Sequence, residues 1–199
     1  MTTFSLIQAP GKTTYDEFLA QEAADPEHIY ELLNGYIVKK TSPSPRHQFA
    51  SMQISKRLSV FVEDEHQLGF VFTAPLDVFF DEQNAIKPDV IYVSLRQQEI
   101  ITDDGITGAP DLLVEIISPH SARRDRVSKK ALFERYGVPE YWLADPVNAT
   151  LEVYVLPESE SEYQLYDMGS VAEESVVHSR LLDGFTLPLQ EVFMPVGGK

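Results

Sequence analysis

The stretch "PDLLVEIISP", residues 110 to 119, constrains the fold more than any other part of the chain. Leu112, Leu113, Val114, Ile116 and Ile117 make a short continuous apolar run, the pattern of a strand buried on both faces. Glu115 stands inside that run. An ionised carboxylate taken out of water costs several kcal/mol unless a cation or hydrogen-bond donors compensate it. A fold that buries this strand must therefore also supply a partner for Glu115.

The flanking sequence reads as strands interleaved with helices. "TTYDEFLAQEA" (13–23) has Thr at a capping position and Tyr15, Phe18 and Leu19 at helical spacing, so a short first helix is expected. "HIYELLNGYIVKK" (28–40) is two strand-like runs around Asn34-Gly35, a strong hairpin signal. After Pro43 and Pro45, the recurrence of Ile54, Leu58, Phe61 and Val62 predicts a long amphipathic helix that places His47 on its inward face. Residues 70–94 read as three strands broken at Pro75 and 81–84, followed by a loop or short helix around "LRQQE". A helix from 118 stopped by Gly137, then the strands "PEYWLADP" and "TLEVYVLP", complete the pattern. The remainder is polar with weak alternation and closes on a short "LPLQEVF" segment. The expected class is α/β, a mixed β-sheet flanked by helices with an N-terminal β-hairpin.

A chain of 199 residues with 43% hydrophobic content suits one domain, 1–199, without repeats or linkers. No run of eighteen apolar residues and no basic-then-apolar start is present, so a cytoplasmic protein without a membrane span or signal peptide is expected. The absence of cysteine excludes disulfides, thiolate catalysis and cysteine zinc sites. Any metal must be held by oxygen or imidazole. A net charge of -15 argues against indiscriminate nucleic-acid binding. The acidity is uneven, with 11 acidic and 2 basic residues in 140–199, while Arg123, Arg124, Arg126, Lys129 and Lys130 cluster within eight positions. That cluster is either a local basic patch or a solvated helix face.

Asp89 in "KPDVIYVS" opens its strand, whereas Glu115 lies near the end of its own. If those strands are antiparallel neighbours, the two carboxylates meet at one sheet edge. Asp111 lies about 13 Å back along the strand and reads as a turn or cap residue. Lys129 precedes Leu132, Phe133 and Tyr136 at helical intervals, which turns it toward the sheet, while Lys130 pairs with Glu134 on the outside. Two carboxylates and a main-chain carbonyl are hard-oxygen ligands suited to Mg²⁺, and a lysine beside the ion can orient or deprotonate a bound water. The alternative is structural, with Lys129 neutralising Glu115 as a partly buried ion pair.

"YELLNGYIV", "KPDVIYVS", "PDLLVEIISP", "DRVSKKALFERYGVPEYWLADP" and "LEVY", in that order, resemble the Uma-type restriction endonucleases of the PD-(D/E)xK nuclease superfamily. The resemblance covers roughly residues 15–190 and implies a restriction-endonuclease-like core over about 27–156. It implies a Mg²⁺- or Mn²⁺-dependent endonuclease acting on DNA, with Asp89 and Glu115 as metal ligands and the backbone carbonyl of Ile116 as a third. Where the superfamily's usual lysine stands, this chain has Ile117, so the resemblance assigns the lysine's place to Lys129, relocated to the next helix. It also marks Glu31 and His47 as further site positions. On the nuclease reading, Arg123, Arg124 and Arg126 would contact backbone phosphates, and a two-fold homodimer, common in general, would suit a duplex substrate. Two rivals remain: a catalytically inactive binding or protein-interaction module on the same scaffold, and a carboxylate-based hydrolase of another substrate.

Overall fold

The computed structural model describes residues 12–194. The expected lack of a signal peptide concerns a start whose first eleven residues lie outside that range. Helix α1 (Tyr15–Ala24) is fixed by a capping box: Thr14 Oγ1 accepts from the Glu17 N–H, and the Glu17 carboxylate accepts from the Thr14 N–H. Strands β1 (Tyr30–Leu33) and β2 (Tyr36–Lys39) form the expected hairpin, with Asn34 and Gly35 at φ 54° and 79°. Positive φ at both turn positions is what the Asn-Gly pair tolerates best. Helix α2 (Pro45–Ser59) starts on Ser44, whose Oγ accepts from the His47 N–H, and continues into a π-wound turn at Val60–Glu65.

Four strands follow where three were expected: β3 (Gly69–Thr73), β4 (Val78–Asp81), β5 (Asn84–Ile86) and β6 (Val90–Ser94). The polar break at 81–84 is the tight turn between β4 and β5. A 3₁₀ stretch, Leu95–Ile100, leads to the short strands β7 (Ile101–Thr102) and β8 (Gly105–Thr107), then to β9 (Leu112–Ile116). The crossover helix begins with a π-wound segment, Arg124–Lys129, and continues as α3 (Lys130–Tyr136) to Gly137 at φ 74°. Strands β10 (Glu140–Asp145), β11 (Thr150–Val155), β12 (Gln164–Ser170), β13 (Val176–His178) and β14 (Thr186–Pro188) precede α4 (Leu189–Val192).

The class is α/β as expected, but the strands divide between two six-stranded mixed sheets and a β13–β14 ribbon. The larger strands lie in the order β12-β11-β10-β9-β6-β3, with β9 and β10 parallel and the other pairs antiparallel. The second sheet, β2-β1-β5-β4-β8-β7, holds the N-terminal hairpin. Its pieces β7 and β8 are two and three residues long, too short for alternation to reveal.

Strand β9 is buried throughout, and its alternation divides two apolar layers. Leu112, Val114 and Ile116 pack toward Ala50, Ile54 and Leu58 of α2. Leu113 and Ile117 pack toward Leu132 and Phe133 of α3. Each such fully buried aliphatic side chain contributes roughly 1.5–3 kcal/mol. Glu115 has the parity of Leu113 and Ile117, so the same helix that covers those residues covers the carboxylate.

A second buried carboxylate, Glu140, ties β10 to the turn before β14. It accepts from Trp142 Nε1 at 2.7 Å, Ser179 Oγ at 2.8 Å and the N–H groups of Arg180 and Leu181 at 2.9 and 2.8 Å. Its four contacts are all donors, two to each oxygen, so an amide in its place turns an N–H₂ against two of them. Glu140→Gln is therefore expected to cost about 2–3 kcal/mol, read as a fall of roughly 5–10 °C in Tm for a chain of this length. A melting temperature equal to the parent's would contradict this role.

Candidate active site

Strands β6 and β9 are antiparallel neighbours with Val90 opposite Val114 and Ile91 opposite Leu113. One step further along that register sets Asp89 beside Glu115. The Asp89 N–H donates to the Val114 carbonyl at 3.1 Å, and Asp89 Oδ2 accepts from the Ile116 N–H at 2.7 Å. The structure thus brings together the two carboxylates that the sequence spacing paired. Asp111 stays apart, accepting from the Ser94 N–H at 2.6 Å and Gln97 Nε2 at 2.5 Å, as a turn residue would.

Lys129, on the inner side of the π-wound segment, has 0% exposure. Its Nζ donates to Glu115 Oε1 at 2.5 Å and to Glu31 Oε1 at 2.8 Å. Glu31 comes from β1 in the other sheet, and the same oxygen accepts from the Lys87 N–H at 3.0 Å with Lys40 Nζ 3.5 Å away. A buried triad, Glu31–Lys129–Glu115, therefore joins both sheets and the crossover helix. The ion pair foreseen as the structural alternative exists, and it has a second carboxylate in it.

The two acids that share this lysine differ in proton affinity. Burial pushes Glu31 up, but attraction from Lys129, Lys40 and Arg124 outweighs it and holds the carboxyl well below its usual range. Burial also raises Glu115; Lys129 opposes this, whereas the nearby charges of Asp125 and Asp89 add to it, and the group is pushed up to about 8. Asp89 is raised by burial and lowered by His47, Lys40 and the Ile116 N–H, with a net fall. Lys129 is lowered by burial but raised further by Glu115 and Glu31, so it remains an ammonium ion.

A cavity of about 280 Å³ opens over this cluster, with Lys40, His47, Asp89, Glu115, Ile116 and Arg124 in its wall. His47 Nε2 lies 3.3 Å from Asp89 Oδ2. Of the three arginines marked for phosphate, Arg124 lines the cavity, Arg123 is exposed to solvent, and Arg126 is turned to Glu152, to which Nη1 donates at 2.7 and 2.8 Å. Ile117 is 4% exposed within the apolar layer under α3. Sequence reasoning missed Asp125, 1% exposed and one helical turn before Lys129, and Lys40, which follows β2. The four-residue spacing of Asp125 and Lys129 was a readable signal; nothing local marked Lys40.

The donor set suits a hard divalent cation. Four carboxylates, Glu31, Asp89, Glu115 and Asp125, face three permanent cations, Lys40, Arg124 and Lys129, in and beneath the cavity wall. Burial is the main reason Glu115 is pushed up to about 8, and the neighbouring charges of Asp125 and Asp89 add to it against the pull of Lys129. Among the described residues no three His, Asp or Glu side chains are grouped to hold a metal ion. Asp89, Glu115 and the Ile116 carbonyl would thus leave most of an octahedron to water and phosphate, as Mg²⁺ prefers.

The fold is that of an α/β protein with two mixed sheets flanked by helices. The family described as "Uma2: Putative restriction endonuclease" matches residues 15–190, and the chain belongs to that family. No curated protein matches the chain. The crystal structure of a "putative nuclease belonging to DUF820" from Anabaena variabilis ATCC 29413 is similar, with a TM-score of 0.71 and 21% identity. The match covers 90% of this chain and 96% of that one; at this identity it speaks for the fold.

Because the pKa of Glu115 in the folded chain is raised from 4.5 to about 8, the stability it contributes is full below 4.5 and lost as pH rises through about 8. The metal-free parent is therefore expected to lose stability relative to Glu115→Gln between about pH 5 and pH 8, with no further change above. Denaturant unfolding of both proteins across that range checks this. A pH-independent difference would contradict the raised pKa.

Proposed function

We propose that the chain is a divalent-metal-dependent endodeoxyribonuclease centred on Asp89 and Glu115. The observation that carries this reading is the pairing of those carboxylates across β6 and β9 in the wall of an open cavity, with Lys129 against one and His47 against the other. Family membership favours it over a hydrolase of another substrate.

Asp89, Glu115 and the Ile116 carbonyl would hold Mg²⁺ or Mn²⁺. When bound, the ion would draw charge from the scissile phosphate and lower the pKa of the attacking water. The protein's share is orientation. The Ile116 N–H and His47 hold Asp89 Oδ2 and so fix how Oδ1 is presented. Lys129 fixes Glu115 in the same way, and as a permanent ammonium ion without exposed surface it acts through that carboxylate rather than as the base. Arg124 would meet a backbone phosphate at the cavity wall. Water attacks phosphorus, the bond to the 3′-oxygen breaks, and the leaving oxygen takes up a proton, which gives 5′-phosphate and 3′-hydroxyl ends.

Purified protein is expected to cleave DNA with Mg²⁺ or Mn²⁺ and not with chelator. Asp89→Asn and Glu115→Gln should lose about 100-fold or more in rate while unfolding cooperatively. Absence of cleavage on supercoiled, linear and single-stranded DNA, or variants as active as the parent, would refute the reading in favour of an inactive binding module.

A further inference from the structure

The lysine that lines the cavity is not the one that the sequence pattern singles out. Lys129 has no exposed surface, and the two hydrogen bonds of its ammonium are spent on Glu115 and Glu31. A group so enclosed cannot touch a phosphate in the cavity. Ile117, at the customary lysine position, is packed in the apolar layer under α3 and offers no charge.

Lys40 is placed differently. It follows β2, lines the cavity, and keeps 19% of its side chain exposed. Its Nζ donates to the Lys87 carbonyl at 2.7 Å, which anchors the ammonium at the cavity wall. From there it is 4.0 Å from Asp89 Oδ1, the oxygen of that carboxylate that neither the Ile116 N–H nor His47 takes. It is also 3.5 Å from Glu31 Oε1. The Lys87 carbonyl belongs to the segment leading into Asp89, so lysine and carboxylate are held by one piece of backbone.

We infer that Lys40 is the substrate-facing catalytic lysine: its ammonium contacts a non-bridging oxygen of the scissile phosphate beside Asp89, while Lys129 is a positioning residue that acts through Glu115. This rests on the nuclease reading above. The ammonium contributes charge where negative charge gathers as the phosphorus–oxygen bond forms, and it needs no proton transfer of its own. Lys40 thereby supplies, from the second sheet, the positive charge that Ile117 cannot.

The test uses the full chain with a labelled duplex in two measurements. Binding is followed in Ca²⁺ across a salt series, and cleavage in Mn²⁺ under single-turnover conditions, for the parent, Lys40→Gln, Lys40→Arg and Asp89→Asn. Loss of one phosphate contact is expected to reduce the slope of log K against log salt by about 0.9 in Lys40→Gln. Its cleavage should fall by about 100-fold or more, with part of the rate regained in Lys40→Arg. Calorimetric Mn²⁺ binding by Lys40→Gln should persist, since no metal ligand is removed. An unchanged salt slope overturns the assignment of Lys40, whatever the cleavage result, and so does a duplex that does not bind. A Lys40-dependent slope without cleavage by any protein would keep the phosphate contact and sink the nuclease reading. Cleavage that needs Asp89 but not Lys40 would keep the nuclease reading and overturn the catalytic assignment of Lys40.

Discussion

A lysine without exposed surface, held between Glu31 and Glu115, is the interaction on which the arrangement depends. An uncompensated charge at any of its members would cost several kcal/mol in this interior. The triad removes that cost only when β1, β9 and the crossover helix come together, so it specifies how the two sheets meet. It also leaves one lysine for two carboxylates. Glu31 has the richer set of donors and remains ionised, and Glu115 is left as the acid most in need of a further cation.

The rest of the site follows from that imbalance. The antiparallel pairing of β6 with β9 sets Asp89 beside Glu115, and the Ile116 N–H and His47 settle which oxygen of Asp89 is free. Asp125, with Arg124 Nε 3.8 Å from its Oδ1, adds negative charge from the helix side. Asp125 and Lys129, four positions apart in the π-wound segment, are both buried on its inner face, and such local widening of a helix is frequent at functional sites. The cavity wall therefore carries the carboxyl groups of Asp89 and Glu115 beside the cations of Lys40 and Arg124, a distribution suited to a metal ion and a phosphate side by side.

Much of this was legible in the sequence because it is local. Asn34-Gly35 announces the hairpin, Pro43 and Pro45 mark where α2 starts, and Gly137 ends α3, each through backbone geometry that few other residues accept. The antiparallel pairing expected of the two Pro-Asp strands brought Asp89 to Glu115, and the helical phase of Lys129 turned that lysine toward the sheet. What escaped depends on contacts distant in sequence. The second sheet is assembled from strands of two to four residues, and β12 exposes Leu165 and Met168, which blurs its alternation. Glu31 and Lys129 are 98 positions apart, and Lys40 meets the Lys87 carbonyl across 47. No spacing rule reaches that far. The arginine run shows the opposite failure: three neighbours on one helix were grouped by charge, yet Arg126 pairs with Glu152 while Arg124 lines the cavity.

The proposed site stands or falls with the joint hold of Asp89 and Glu115 on a divalent cation. It is tested most directly by anomalous scattering from a crystal of the parent protein soaked in Mn²⁺ at a pH above the range in which Glu115 carries a proton. A peak is expected between the Asp89 and Glu115 carboxylates beside the Ile116 carbonyl, with the Lys129 ammonium still on Glu115. A saturating soak that leaves that position without a peak, with Lys129 and Glu115 unmoved, would contradict it.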